Sequence, residues 1–207
     1  MSTAHAYAAL LRLGVPVVET ADTAAVLQVS TSAAAKTLAR LARAGLIERV
    51  RHGTWWIRPP VDPLRVPAYL TAPFDSYLSL QTALHLRGLI EQVPEVYYVI
   101  SLSRTERIAT SAGTFSVHHI APELFGGYEE TEHGVRLATG EKALFDVAYL
   151  SAGRSRLFSS LPELALPRDF RKSELQRWLV RIPSKRARTL TERRLQAWLR
   201  GSAWQQG

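Results

Sequence analysis

Five of the eleven prolines in this 207-residue chain fall between positions 59 and 73. Proline fixes φ and has no amide hydrogen to donate, so this stretch is predicted to form neither a regular helix nor a central strand. The stretch therefore divides the chain into three parts: an N-terminal domain over residues 1–60, a connector over 61–75, and a second domain over 76–207.

The N-terminal domain is predicted to contain three short helices followed by a β-hairpin. The predicted helices cover residues 4–13, Thr20–Gln28 with Thr20 as N-cap, and Thr31–Ala44. In the third helix Ala34, Leu38 and Leu41 recur at i, i+4 and i+7, which predicts one buried stripe. Gly45 then ends the helix, because glycine adopts the left-handed conformation that closes a helix at little cost.

The opposite face of the third helix carries small polar groups at its start and cations further along: Thr31, Ser32, Ala35, Lys36, Arg40 and Arg43. Alone, such a face is typical of any solvated helix. The hairpin that follows, with strands over 46–51 and 54–58 and a break at His52-Gly53, adds the cations Arg49, Arg51, His52 and Arg58. A helix, a glycine and a basic hairpin are the pattern of a winged helix-turn-helix, which inserts a helix into the major groove of DNA.

We therefore predict binding to double-stranded DNA through polar and cationic side chains of the third helix and the wing. The predicted DNA-binding residues are Thr31, Ser32, Lys36, Arg40, Arg43, Arg49, Arg51 and His52.

Charge is segregated along the chain. Residues 1–60 carry seven Lys and Arg against three Asp and Glu, residues 61–150 carry six against eleven, and residues 151–207 carry thirteen against four. The overall charge of +8 is thus concentrated in a basic head and a basic tail, which is typical of contact with a polyanion. The sequence leaves open whether the tail meets DNA, another polyanion such as RNA, or the acidic middle of the chain.

The second domain is predicted to be mixed α/β with a helical, basic tail, so the whole chain belongs to the α+β class. Tyr77, Leu80 and Leu84 form a helical stripe that ends at Gly88, and residues 96–101 form a buried strand. Further predicted elements are a hairpin over 107–120, a helix capped by Thr139 that runs through Leu150, and two tail helices with apolar stripes around Trp178 and Trp198.

Sequence motifs of enzymes are missing. The chain has no GxxxxGK[ST], GxGxxG, GxSxG or HExxH, and it has no cysteine. His118 and His119 are adjacent, so on a strand they diverge, and we expect one to be buried and one exposed. The acidic residues Glu129, Glu130, Glu132 and Glu141 favour a surface loop, although a metal-dependent nuclease is a third hypothesis. We expect no enzyme activity, cofactor or metal.

The chain is also expected to stay in the cytoplasm. It contains no run of 18 apolar residues, and its N-terminus lacks the basic start of a signal peptide.

Several segments resemble the AbiEi family, the antitoxins of type IV toxin-antitoxin systems. They are GLIERVRHGTWWIRP (45–59), SLQTALHLRGLIEQVPEVYYVIS (79–101), GTFSVHHIAPELFGGYE (113–129) and RLATGEKALFDVAYLS (136–151). The resemblance covers nearly the whole chain. One difference is Gly140, which stands where the family often has proline at the start of its TxEKALxD helix.

The resemblance implies a repressor that binds inverted repeats in its own promoter and counteracts a co-encoded nucleotidyltransferase-like toxin, without a stable complex and within an abortive infection system. It implies auxiliary DNA-binding or antitoxicity roles for basic residues of the tail, namely Arg177, Arg181, Arg186 and Arg193. The alternative is a winged-helix regulator without a toxin partner, whose second domain senses a ligand or forms oligomers.

Overall fold

The computed structural model describes residues 2–57, 62–152 and 161–204, which form a mixed α+β protein. The chain divides into two compact units. Unit 1 comprises Met1–Pro63 together with Ile108–Gly113, and unit 2 comprises Leu64–Arg107 together with Thr114–Gly207. In the described ranges no helix is long and apolar enough to cross a membrane.

The described part of unit 1 contains three helices and a three-stranded antiparallel sheet. The elements, in chain order, are α1 (Thr3–Leu11), β1 (Val17–Glu19), α2 (Thr20–Leu27), α3 (Thr31–Arg43), β2 (Glu48–Arg51) and β3 (Thr54–Trp56). The strand order is β1-β3-β2. The three predicted helices and the predicted hairpin are confirmed to within a few residues, whereas β1 was not predicted. Arg58, which we predicted at the end of the second hairpin strand, lies outside the described residues.

Local chemistry explains where α3 begins and ends. The Ser30 hydroxyl oxygen accepts a hydrogen bond from the amide of Ala33 at 3.3 Å, which satisfies one of the free amides of the first turn. At the other end Gly45 has φ +70°, a conformation that other residues adopt at a cost. The stripe of Ala34, Leu38 and Leu41 is completely buried, as predicted.

The core of unit 1 joins the helices to the sheet. It consists of Leu10, Val18, Leu38, Leu41, Ile47, Trp55 and Ile57. These residues come from α1, β1, α3 and β3 and from Ile47 and Ile57, which flank the hairpin, so α3 is held by the same core that holds β3.

A second, mixed sheet lies in unit 2 apart from residues 108–110 and Gly113, which belong to unit 1. Its strand order is β6-β7-β5-β4-β9-β8. The strands are β4 (Ser76–Leu78), β5 (Tyr97–Ser101), β6 (Glu106–Thr110), β7 (Gly113–His119), β8 (Tyr128–Glu130) and β9 (Arg136–Ala138). The β4/β5 and β8/β9 pairs are antiparallel, whereas β4/β9 and β5/β7 are parallel. The predicted strand over 96–101 and the hairpin over 107–120 are confirmed.

Helices pack on this sheet around one central element. The helices are α4 (Pro67–Thr71), α5 (Leu80–Leu86), α6 (Gly140–Ala152), α7 (Lys172–Val180) and α8 (Lys185–Gly201). α6 contacts α5, α7 and α8, and nine of its residues are buried. A parallel pair of two-residue strands, β10 (Ala165–Leu166) and β11 (Ala203–Trp204), completes the unit.

Two predictions about this region are wrong. Tyr77 does not share a helix with Leu80 and Leu84, because it lies on β4 and α5 begins only at Leu80. All three residues are buried, so their i, i+3 and i+7 spacing indicated burial and not a shared helix. The connector also contains helix, in a 3₁₀ turn over Pro63–Arg65 and in α4. Pro67 is the first residue of α4, where its missing amide hydrogen has no helical partner to lose.

Candidate nucleic-acid interface

The exposed face of α3 carries all of the polar and cationic side chains that we predicted there. Thr31, Ser32, Lys36, Arg40 and Arg43 are each exposed, while Ala35 is half-buried. Thr37, on the same helix, is buried and was not singled out. The helix is therefore apolar on one side and cationic on the other, with its hydroxyl groups at the N-terminal end.

The cations of this face have no acidic partner among the residues that the structure describes. Arg40 lies 3.5 Å from the Thr37 hydroxyl, and Arg43 donates to the carbonyl oxygen of Ala39 at 3.4 Å. Within residues 2–57, 62–152 and 161–204, Lys36, Arg40 and Arg43 form no ion pair with a carboxylate. Their charge is thus available to an external anion. Arg40 and Arg43 lie in the last turn of α3, while the partial positive charge of the helix dipole lies at the opposite end, beside Thr31 and Ser32.

The turn between β2 and β3 brings two further predicted residues into contact. An Nη2 donor of Arg49 lies 3.1 Å from Nδ1 of His52, and both side chains are exposed. The Arg49 guanidinium also lies over the Trp55 ring, 5.6 Å from its centroid. Arg51 is half-buried and donates from Nε to the Thr54 hydroxyl at 3.2 Å, so it is held against its own hairpin.

The start of α2 is tied to this turn. The Thr20 amide and hydroxyl both donate to the carbonyl oxygen of Gly53, at 2.8 and 3.1 Å. The Trp55 indole in turn donates to the Thr20 hydroxyl at 3.0 Å. Thr20 is therefore not the N-cap that we predicted. The cap is Glu19, whose amide donates to the Asp22 carboxylate at 3.4 Å, and Thr20 instead links α2 to the hairpin.

The four basic tail residues that the resemblance singled out lie on α7, on α8 and between them, and all four are exposed. Arg177 forms an ion pair with Glu174 at 2.9 Å, and Arg181 lies over the Trp178 ring at 4.4 Å. Arg186 and Arg193 have no ion-pair partner within the described part of the chain. They lie seven residues apart, so they share one side of α8.

The segment GEKALFDVAYL forms the buried helix α6 and holds an internal charge pair that we did not predict. Thr139 caps α6, as predicted, by accepting from the Lys142 amide at 3.2 Å. Lys142 and Asp146 are completely buried and form an ion pair with each other. The other carboxylate oxygen of Asp146 accepts from the hydroxyls of Ser79 and Tyr77, at 2.7 and 3.1 Å.

Burial dominates the electrostatics of this pair. Burial lowers the pKa of the Lys142 amine and raises the pKa of the Asp146 carboxyl, while each partner opposes the other's shift. The Lys142 nitrogen lies 4.5 Å from the centroid of the Trp178 ring. The i, i+4 spacing of Lys142 and Asp146 was a signal in the sequence, but such pairs are ordinarily exposed.

The candidate acidic cluster is dispersed. Glu129 is paired with Arg87 at 2.8 Å, and the Glu141 carboxylate accepts from the amide of Arg171 at 2.8 Å. Glu141 is only 8% exposed, so it does not belong to a surface loop as predicted, and Glu129 and Glu130 lie on β8. Among the described residues no group of three or more His, Cys, Asp or Glu is arranged to hold a metal ion. His118 is buried and His119 exposed, as expected.

No family model matches the sequence, and no curated protein matches it.

Proposed function

We propose that this protein binds double-stranded DNA through unit 1, which we interpret as a winged helix-turn-helix with α3 as recognition helix and the β2–β3 hairpin as wing. The observation that carries the proposal is the exposed face of α3, where Lys36, Arg40 and Arg43 have no acidic partner among the described residues and Thr31 and Ser32 lie at the helix N-terminus. A face with these donors is suited to phosphate oxygens and to the acceptor edges of bases in a major groove.

We further propose that the protein is a transcriptional autorepressor and the antitoxin of a type IV toxin-antitoxin system. The support for this step is the resemblance of the sequence to the AbiEi family. In this proposal unit 1 binds inverted repeats in the protein's own promoter, and Arg177, Arg181, Arg186 and Arg193 serve auxiliary DNA binding or antitoxicity. The protein acts in the cytoplasm, and it counteracts a nucleotidyltransferase-like toxin without a stable complex.

A regulator without a toxin partner is the second candidate, and one feature of unit 2 favours it. A cleft of about 520 Å³ has a largely polar lining that includes Gln81, Gln92, Glu95 and Arg107, and its volume is in the range of small-molecule sites. Gene neighbourhood separates the two candidates, because an adjacent nucleotidyltransferase gene favours the antitoxin.

The charge-reversed variant Arg40→Glu tests the DNA-binding proposal. The full-length protein is titrated against the DNA upstream of its own gene in a gel-shift assay, after protection mapping has located the site. We expect Arg40→Glu to reduce affinity more than tenfold, because an anion replaces a cation against phosphate or a base edge.

Arg104→Glu is the matched control, since Arg104 lies in unit 2, has an 83% exposed side chain and undergoes the same charge change. Equal affinities of Arg40→Glu and the unmodified protein would remove Arg40 from the interface. Failure of the unmodified protein to bind any DNA at low ionic strength would overturn the proposed function.

A further inference from the structure

The hydrogen bond between Arg49 and His52 determines which ring nitrogen of His52 carries the proton. A guanidinium has only donors, so Nδ1 of His52 must accept the bond that joins it to Arg49 at 3.1 Å. A neutral imidazole that accepts at Nδ1 carries its hydrogen on Nε2. His52 therefore presents Nε2–H as a donor, and the remaining N–H groups of Arg49 are donors as well.

Further contacts hold Arg49 and His52 against the rest of unit 1. Arg49 lies over Trp55, which is 6% exposed and donates to Thr20. Thr20 holds the carbonyl of Gly53, the residue that follows His52. The turn, the stacked guanidinium and the imidazole thus form one assembly, which we name the wing tip: Arg49, His52, Gly53 and Trp55.

An irregularity in the hairpin shapes the wing tip. Arg49 pairs with Trp55 and Arg51 pairs with Thr54, so Val50 is an extra residue without a partner on β3. A bulge of this kind changes the direction of the side chains beside it. Arg51 is bonded to Thr54, whereas Arg49 is bonded to the turn residue His52, and the exposed end of the hairpin carries donors from two side chains.

We propose that the wing tip reads the minor groove of A·T-rich DNA beside the site contacted by α3, with Arg49 and His52 as its specificity-determining residues. This inference rests on the proposed DNA binding. The minor-groove edge of an A·T pair presents only acceptors, while a G·C pair adds the guanine amino group, which is itself a donor. The side chains of Arg49 and His52 offer only donors to DNA, so they match the A·T edge and oppose the amino group of the G·C edge. A·T-rich minor grooves are also narrow and strongly negative, which attracts arginine and histidine side chains.

The experiment begins with selection of binding sites by the full-length protein from random duplex DNA. We expect the selected sites to share a core flanked by A·T pairs. Replacing the flanking A·T pairs by G·C should weaken binding roughly tenfold, as for one or two mismatched pairs in a specific site. Replacing them by inosine·C should restore binding, because inosine lacks the minor-groove amino group but keeps the major-groove edge of guanine.

Two variants connect the preference to the wing tip. His52→Ala and Arg49→Lys should both weaken binding to sites with A·T flanks and lose most of the discrimination between A·T and G·C flanks. Lysine keeps the charge of Arg49 but lacks the planar group that stacks on Trp55 and donates to His52. Arg12→Ala, a change at an exposed residue at the end of α1, should keep the full discrimination. Thermal denaturation followed by circular dichroism verifies that all three variants are folded.

The outcomes separate this inference from the proposed function. If no DNA is selected, the proposed function fails and the inference fails with it. If the selected sites share a core but show no preference for A·T over G·C pairs in the flanks, only the wing-tip inference is overturned. Equally weak binding of G·C and inosine·C flanks also overturns it, because the major groove or DNA shape would then be what is read.

Discussion

His118 and His119 are neighbours on β7 with opposite surroundings. The His118 ring is 7% exposed, its Nε2 lies 2.9 Å from the Ser116 hydroxyl, and it stacks with Tyr98. His119 points to the other side of the strand and is exposed. Burial lowers the pKa of His118 from 6.5 to about 4, so the folded protein keeps this ring neutral in mildly acidic solution.

This depressed pKa predicts a loss of stability in acid. Between pH 6.5 and about 4 the unfolded chain binds a proton at His118 that the folded chain does not, so the free energy of unfolding falls as the pH is lowered. The loss attributable to His118 should reach about 1–3 kcal/mol near pH 4 and grow no further below it. Urea denaturation at a series of pH values measures the effect.

His118→Gln should flatten that part of the pH profile, while the matched variant His119→Gln should leave it unchanged. A stability difference between His118→Gln and the unmodified protein that stays constant from pH 6.5 to 4 would contradict this prediction.

At the residue scale, the sequence predicted burial where helical periodicity determines it. It did not predict contacts that depend on how strands and side chains pair. The helical spacing of Ala34, Leu38 and Leu41 was sufficient to predict their burial. The Arg49–His52 contact was not predictable, because it depends on the unpaired residue Val50 and on the turn geometry. Burial of Lys142 was not predictable either, since its cost is offset by Asp146 together with the hydroxyls of Tyr77 on β4 and Ser79 just after it, more than sixty residues away in sequence.

The turn from Gly126 to β8 depends on a close approach between elements. Gly127 has φ +73°, and a Cβ built on it would lie 2.6 Å from Cζ2 of Trp178 on α7 and 2.9 Å from Cγ of Lys142 on α6. Gly134, in the turn between β8 and β9, has nearly the same φ of +72°, but its nearest neighbour would be a Glu130 carboxylate oxygen at 3.9 Å. The two glycines differ in surrounding space and hardly in backbone conformation.

We expect Gly127→Ala to destabilise the protein by about 2–4 kcal/mol and Gly134→Ala by only about 1–2 kcal/mol. Both substitutions carry the cost of a left-handed alanine, and the additional cost at position 127 comes from the overlap with Trp178 and Lys142. Chemical denaturation of the two variants gives the comparison. Equal losses would mean that the β8 turn moves freely away from α6 and α7.

At the element scale, the existence and type of most helices and strands were predictable from the sequence. The exceptions have local causes. β1 was missed because a three-residue strand is too short for a periodic signal, and its main cue was Val17-Val18. The mixed strand order of unit 2 could not be predicted, because it depends on which strands pair across long separations in sequence. Helix α4 was missed because a proline at a first helical position looks the same in a sequence as a proline that breaks a helix.

At the scale of the whole molecule, the basic tail cannot be tested by removing it. α7 and α8 contribute Leu175, Trp178, Leu179 and Leu195 to the core of unit 2, and Ile182 between them is part of it too, so deletion would disrupt the fold along with the charge. Substitution of exposed side chains avoids this problem.

If the tail contacts DNA as proposed, the double variant Arg186→Gln, Arg193→Gln should show a weaker salt dependence of binding. Each lost phosphate contact lowers the magnitude of the slope of log K against log salt concentration by about 0.9, so the pair should lower it by up to about 1.8. The double variant Arg104→Gln, Arg107→Gln removes the same charge from two exposed residues of the acidic middle and serves as control. An unchanged slope would assign the tail to a role away from DNA.

Unit 1 is not continuous in the chain, since it includes Ile108–Gly113 as well as the residues up to Pro63. During synthesis its N-terminal segment leaves the ribosome well before this second piece is made, so contacts between the two pieces, such as the hydrogen bond from the Ser111 amide to the Glu48 carboxylate at 3.1 Å, form only after Gly113 has emerged. A gene fragment that stops at Pro63 keeps the residues of the unit 1 core but lacks these contacts. The first unit therefore gains its last contacts only once the opening strands of the second have been translated.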